Sequence, residues 1–576
     1  MFASIIKTKI IGILLVCLLI AGGIFIYFKD CNDKVESFLF VNKMNGNTGL
    51  KSTFTSEDMY LLEFCRVWGT LKYHGKNTSE AFEADSLLIN NFDKIFMKRV
   101  SINKVISEFF NKKKIKKENI FLGQLPDYNW ITESRIINTI NKKKLITYIN
   151  ISNENTSSNK LITVNSYDEL IFDADSLFFN KKNTSRPERF LSLCKIWNTV
   201  RYYYPYFNDL SSDWNDTFLE LLPHFLNAKT ELEYHKAVIR LSSKLQDSHV
   251  AVKSSLIGNF EKKYVGNVIF KTIEERTFVK DFVTAGLKSN MRKGDEILEI
   301  NGINVQSIRD SLKEFISASN NITLDRDINK QLLVLQNKSA NIKLIRKNKI
   351  INIRENLTYI DAARKTEQSE QRSRASMEVS KILPHNIGYI NIKDIYSGNF
   401  RISFEKIKNC NAIIFDIRSY PNEIGVNFLK HFATRKLKFM NLYRADVKYP
   451  GVMISTENKI EIPATNSDSY SKPVIILINE YTQSQSESIV LAMKAMGNST
   501  TLGENTAGTN GNVSILYLPG NLKMRFSGIG VLGSNNEVLQ RKGIQPEIIV
   551  KDNINSLIKG EDYQLLSAIK YLEKIL

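Results

Sequence analysis

The sequence predicts an α/β multidomain protein: an N-terminal transmembrane helix, helical modules, a β-rich domain and an α/β core, in that order. Three observations carry this. Residues Ile10–Phe28, "IIGILLVCLLIAGGIFIYF", hold no charge. Two aromatic-rich helical patterns, "EFCRVWGTLKYHG" (Glu63–Gly75) and "SLCKIWNTVRYYYP" (Ser192–Pro205), recur at an offset of 129 residues. From Ile387 onward, short apolar runs alternate with helical stretches, the pattern of crossover units over a mostly parallel sheet.

The anchor comes first. At ~1.5 Å per residue the apolar run spans about 28 Å as a helix, enough for a bilayer core. Lys7 and Lys9 precede it, so residues 1–9 form a short cytoplasmic tail and the remainder is exported. This makes the chain a single-pass membrane protein with its ectodomain outside the cytoplasm. No A-x-A-like cleavage site follows the run, which is also long for a signal peptide. Neither Cys17 nor Cys31 has the small residues expected before a lipoprotein cysteine.

Residues 29–180 read as a mixed domain carrying the first helical repeat, and residues 181–253 as a second helical module. Cys65, Trp68 and Tyr73 of the first match Cys194, Trp197 and Tyr202 of the second. Aromatics at helical spacing point to packing. Residues 254–355 read as β-rich. In "GDEILEING" Ile297 and Ile300 flank a compact strand–turn–strand signal. Residues 356–380 form a polar linker or exposed helix, 381–553 the α/β core, and 554–576 a closing amphipathic helix.

Composition is that of a folded protein, with 43% hydrophobic and 24% charged residues in 576. Lysine and arginine exceed aspartate and glutamate by 19, but they are scattered, and no nucleic-acid-binding signature accompanies them. The charge reads as solvated surface, with no nucleic-acid partner. Five unpaired-looking cysteines indicate neither a disulfide framework nor a metal cluster.

Chemistry concentrates in "KPVIILINEYTQSQSESIVLAMKAMG" (Lys472–Gly497), where a buried strand gives way to a helix. Ser484, Ser486 and Ser488 crowd the junction. Ser484 with Glu487 fits a capping box, S-x-x-E. A serine here could also act as a nucleophile, because N–H groups at a helix start, such as that of Gln485, favour developing negative charge.

The wider constellation resembles the C-terminal-processing and tricorn-like serine peptidases of clan SK. "YTQSQSESIVLAMKAMG" followed by "TTLGENTAG" is similar to that family's nucleophile region. "AIIFDIRSYPNE" (Ala412–Glu423) looks like its preceding strand and oxyanion turn, and "RKGIQPEIIV" (Arg541–Val550) like its closing strand. Ala285–Ile308 resembles part of a PDZ domain of the kind found in exported proteases, with Gly286 a substrate-contacting position. The resemblance covers about Asp247–Val550. It implies a crotonase-like protease core built of ββα repeats, extended polypeptide substrates, no cofactor and no metal, and it assigns the nucleophile to Ser484.

Three departures follow. "TAGTNGN" (Thr506–Asn512) lacks the lysine base of the C-terminal-processing branch. The tricorn-like branch uses a histidine instead, and "LQDSHVAV" is similar to its Leu-x-Asp-x-His motif, which implies His249 as general base with Ser248 beside it. The glutamate that this branch places before the closing strand is here Gln540; Glu537 and Glu487 are the nearby acids. At the oxyanion turn, Asn422 and Glu423 stand where the family has two glycines. These departures leave a peptide-binding pseudoprotease as the alternative to a peptidase, and a small hydrophobic ligand, suggested only by "RYYYPYF", as a third reading.

Overall fold

The structure, a computed structural model, describes residues 54–576 and the strands Ile26–Phe28 and Ser37–Val41, apart from residues 76, 112, 114–127, 153–160, 173–174, 255, 258–263, 375–376, 423, 425, 457–459 and 463–468. The expected anchor therefore lies outside the described residues except at its end. There Ile26–Phe28 is a strand, paired antiparallel with Ser37–Val41. Among the described residues no helix is long and apolar enough to cross a membrane.

The two repeats are helices Ser56–Tyr73 and Arg186–Tyr203, packed against each other. Their close approach is set by Gly69, where a Cβ would collide with the Asn198 side chain. Asn198 Nδ2 donates to Cys65 O at 3.1 Å, and Phe64 stacks on Phe190. Cys65, Cys194, Trp68, Trp197 and the tyrosines at 202, 203, 204 and 206 are all buried, so the aromatic stripe is core. The module also buries charge. Lys72 bridges Asp85 and Asp175 at 2.8 Å each, and Lys195 reaches Asp175 at 2.8 Å. Inside a protein such ions persist only when paired.

Helix Glu231–Ser243 leads into the short strand Ala251–Lys253, which joins the hairpin Val513–Leu518/Leu522–Ser527 through its second strand. The β-rich segment follows as a separate unit with its own apolar core. Its main sheet runs, in spatial order, Lys349–Asn356, Ser339–Arg346, Glu296–Ile300, Arg276–Asp281 and Ile269–Ile273, with helices Val305–Lys313 and Asn321–Asn329. The polar stretch after it is the helix Ile360–Arg374.

In the C-terminal core the strands Ile387–Asn391, Ala412–Asp416, Val474–Ile478, Ser499–Gly503 and Ile548–Ile549 pair in parallel, in that order. One apolar cluster covers each face of this sheet, which is why Val474–Ile478 reads as an unbroken apolar run. The closing segment is two helices, Ile554–Lys559 and Tyr563–Ile575, where one was expected. Gly560, in the left-handed region at φ 71°, ends the first of them.

Candidate active site

Strand Val474–Ile478 ends in the loop 479–483, and helix Gln485–Met496 begins immediately beyond it. Ser484 lies at the turn with φ 58° and ψ −118°, a backbone conformation glycine adopts freely and serine does not. Such strain costs roughly 1–3 kcal/mol and persists only where the surroundings impose it. They do so here. Ser484 N–H donates to Thr509 O at 2.9 Å and to Glu487 Oε2 at 3.2 Å.

The three serines differ in their partners. Ser486 Oγ donates to Ser419 O at 2.8 Å, tying the helix to the segment that follows strand Ala412–Asp416. Ser488 Oγ exchanges hydrogen bonds with the Asn510 side chain. Ser484 alone carries the strained backbone. The N–H of Gln485, first in its helix, has no partner among the described residues.

Glu487 is buried beneath this turn. Its carboxylate accepts from Thr506 Oγ1 at 2.5 Å, Gly508 N–H at 2.9 Å and Thr509 N–H at 3.1 Å, besides the Ser484 N–H. Burial pushes its carboxyl up to about 7, although these donors pull the other way. Gly508 sits at φ 68° with Gly543 N so close that a Cβ would meet it at 2.8 Å. Glu487 thus clamps the loop 506–509 under the serine.

His249 reaches the same loop from the other side. Ser248 N–H donates to Thr509 Oγ1 at 3.3 Å and to Ser319 Oγ at 2.9 Å, and Ser248 Oγ accepts from Ser319 N–H at 3.0 Å. Thr509 is therefore shared: its carbonyl holds Ser484 and its hydroxyl holds the residue beside His249. The His249 ring is buried, with Nδ1 3.0 Å from Ser527 Oγ. Asp247 makes its hydrogen bonds to backbone, not to the ring. It accepts from His249 N–H at 2.9 Å and Ser527 N–H at 3.1 Å, so it fixes the backbone on both sides. Burial, aided by Arg525 and Arg326 and opposed by Asp247, lowers the imidazolium pKa below its usual 6.5. No hydrogen bond among the described residues joins Ser484 Oγ to the ring.

The remaining sequence candidates fall unevenly. Gln540 is buried, and both its amide oxygen and its nitrogen lack a hydrogen-bond partner. Glu537 is exposed in a turn, its carboxylate accepting from Asn535 N–H at 3.0 Å. Asn422 gives its side-chain amide to Lys393 O, and Glu423 lies outside the described residues. Gly286 lies in the β unit, where its N–H donates to Glu370 Oε1 at 2.8 Å. Sequence reasoning missed Ser527 and Thr509. Ser527 ends a hairpin strand 278 residues from His249, and no local motif marks it. A cavity of about 730 Å³ opens between the β unit and the core, lined in part by Phe270, Lys330, Arg418, Asn422 and Tyr481.

Comparison with known proteins agrees with this architecture. Residues 386–550 match peptidase family S41. No curated protein matches the chain. Among solved structures, mature CPAF complexed with lactacystin is similar over 67% of this chain and 98% of that one, with 15% identity and a TM-score of 0.53. Mature CPAF on its own gives 15% identity and a TM-score of 0.52, over 67% and 96%. The photosystem II D1 C-terminal processing protease matches at 14% identity over 66% and 99%, with a TM-score of 0.39. At such identities the CPAF likeness speaks for the fold, and the family match speaks for the chemistry of the core. Residues 386–550 are a peptidase family S41 domain, and the chain that carries them is a serine-type peptidase of clan SK.

Proposed function

We propose that this protein is a membrane-anchored, exported serine endopeptidase acting on extended polypeptides, with Ser484 as nucleophile and His249 as general base. The observation that carries this reading is the strained Ser484 turn on a family S41 domain, joined through Thr509 to the segment bearing His249. With Nδ1 engaged by Ser527, Nε2 is the ring nitrogen left for proton transfer. His249 takes the Ser484 hydroxyl proton as Oγ bonds to the substrate carbonyl carbon. The oxyanion accepts from Gln485 N–H and a backbone donor of the turn at Asn422. His249 then gives its proton to the departing amine as the C–N bond breaks. Water, deprotonated by the same ring, hydrolyses the acyl-serine ester. The cavity between the β unit and the core has the size to receive a stretch of substrate. In this reading the β unit is PDZ-like and presents the chain to the site.

A peptide-binding protein that does not cleave is the second reading. It is favoured by the orphaned Gln540 amide where the resemblance leads one to expect a carboxylate.

Fluorophosphonate labelling of the full chain, compared with Ser484→Ala and His249→Ala, separates the two. Labelling of wild type that disappears in both variants supports the peptidase. Equal, negligible labelling in all three selects the binding protein. For the anchor, protease added to intact cells should cut the region after Lys29; full protection there would remove the topology.

A further inference from the structure

The β unit does more than flank the core: it grips the two loops that form the serine turn. Lys271, on strand Ile269–Ile273, lies 2.9 Å from Glu480 Oε1, 2.9 Å from Glu504 Oε2 and 3.8 Å from Asp552 Oδ2. Lys271 and Glu480 are both buried. Glu480 is four residues before Ser484, and Glu504 opens the loop that leads to Thr509. Burial alone would raise the Glu480 carboxyl, yet the Lys271 ammonium overrules it and holds it down at about 2.

A second cation acts on the same residue. Arg326, on helix Asn321–Asn329, donates from its NH1 group to Glu480 O at 2.6 Å, and it stands with Lys330 over the ring of Tyr481. Asn320, capping the same helix, donates from Nδ2 to Thr506 O and Ala507 O at 3.3 and 3.1 Å. Ser319 completes the set through its contacts with Ser248 and Thr509. Every loop segment that fixes Ser484 is thus held from the β unit by a side chain.

We propose that Lys271 is a positioning residue for Ser484, and that the β unit is a constituent of the catalytic apparatus through this ammonium. The inference rests on Ser484 being the nucleophile. The physical reason is charge. Glu480 and Glu504 are brought together out of water by one ammonium, and without it their repulsion and rehydration pull the loops apart. The backbone strain at Ser484 can be maintained only while both loops are fixed.

The test uses the full chain and two readouts, the rate of fluorophosphonate labelling and kcat against KM on a peptide substrate. Lys271→Gln is expected to slow labelling roughly tenfold to a hundredfold and to lower kcat with KM little changed, as for a displaced reacting group. Lys271→Arg, which keeps the charge, should restore most of the rate. Arg346→Gln serves as the control for general destabilisation, since it breaks the 2.6 Å pair with Asp295 within the same unit. It should lose thermal stability and keep its labelling rate. A Lys271→Gln protein that labels like wild type, or a control that is equally slow, overturns the proposal. If Lys271→Gln does not fold, Glu480→Gln carries the test, with the same slowing expected and an unchanged rate overturning it. A wild type that does not label removes the reading of Ser484 and this inference with it, whereas labelling that is indifferent to Lys271 removes the inference alone.

Discussion

His249 Nδ1 lies 3.0 Å from the Ser527 hydroxyl, and among the described residues no carboxylate is hydrogen-bonded to the ring. A hydroxyl can orient an imidazole but offers no full negative charge to steady the imidazolium that forms during proton transfer. Buried and without a carboxylate on its ring, His249 is harder to protonate than a solvated histidine, and this sets its working pH range.

Ser527→Ala is expected to lower kcat roughly tenfold, equivalent to about 1.4 kcal/mol, because the ring loses its orienting bond but not its place. KM should hold, since Ser527 sits behind the ring. Steady-state kinetics on a peptide substrate check both parameters.

The pH profile follows from the lowered His249 pKa. In the proposed mechanism the neutral ring is the base, so kcat/KM should fall on the acid side with an inflection below 6.5. The same shift makes a contribution to stability that is present above pH 6.5, where histidine is neutral folded or unfolded, and is lost as pH falls through the lower folded value. Denaturant midpoints measured between pH 5 and 7 should decline toward acid, and His249→Ala should flatten that decline.

Ser484 itself separates strain from chemistry. Ser484→Ala keeps a side chain in the disfavoured region, whereas Ser484→Gly releases it. The glycine variant should be the more stable of the two by about 1 kcal/mol, while both are inactive. Equal unfolding midpoints would show that the backbone is not strained in solution.

Glu487→Gln should destabilise by roughly 2–4 kcal/mol, because an amide –NH2 would face N–H donors that a carboxylate accepts. In wild type the carboxyl is raised to about 7, so the folded state binds more protons than the unfolded one between about 4.5 and 7. Stability from this group is therefore greatest below 4.5 and declines as pH rises toward 7. Chemical denaturation across that range should lose this component in the variant.

Gln540 makes the sharpest contrast. Its amide is buried with neither end bonded, a condition that costs about 1–3 kcal/mol. Gln540→Met should raise stability by about that amount and leave kcat unchanged if Ser527 alone orients His249. A fall in kcat would mean that Gln540 turns to the ring when substrate binds. Thermal unfolding and kinetics on one preparation decide the matter.

Much of this molecule was legible in the order of its residues, and the reasons differ by element. Strand Val474–Ile478 announces itself because burial on both faces demands an unbroken apolar run, and helix Gln485–Met496 because Ile489, Val490, Met493 and Met496 recur at helical spacing. The repeat pairing Trp68 with Trp197 is visible because both helices solve the same packing problem. The resemblance singles out Ser484 among three serines by its spacing to Glu487, and the structure gives that residue the strained backbone, but the surroundings of Glu487 were not legible. A capping glutamate and one buried under four donors share a single local pattern. The partner of His249 was out of reach for a plainer reason: Ser527 meets it through tertiary structure alone, and a serine in a strand carries no signature. The break at Gly560 was overlooked because the apolar spacing continues across it.

The strand Ala251–Lys253 has a consequence in time. It delivers His249 to a hairpin made more than 260 residues later, and Ser484 is itself translated 235 residues after the histidine. At about 5–20 residues per second, roughly 10–50 s of synthesis separate the proposed base from the proposed nucleophile. On that proposal a ribosome releases the two halves of the reaction separately, and a nascent chain holds a histidine with nothing to deprotonate. Latency of this kind needs no inhibitor and no propeptide. It also foretells that a chain divided between these segments could regain activity when the two fragments are mixed, the three-residue strand acting as the seam.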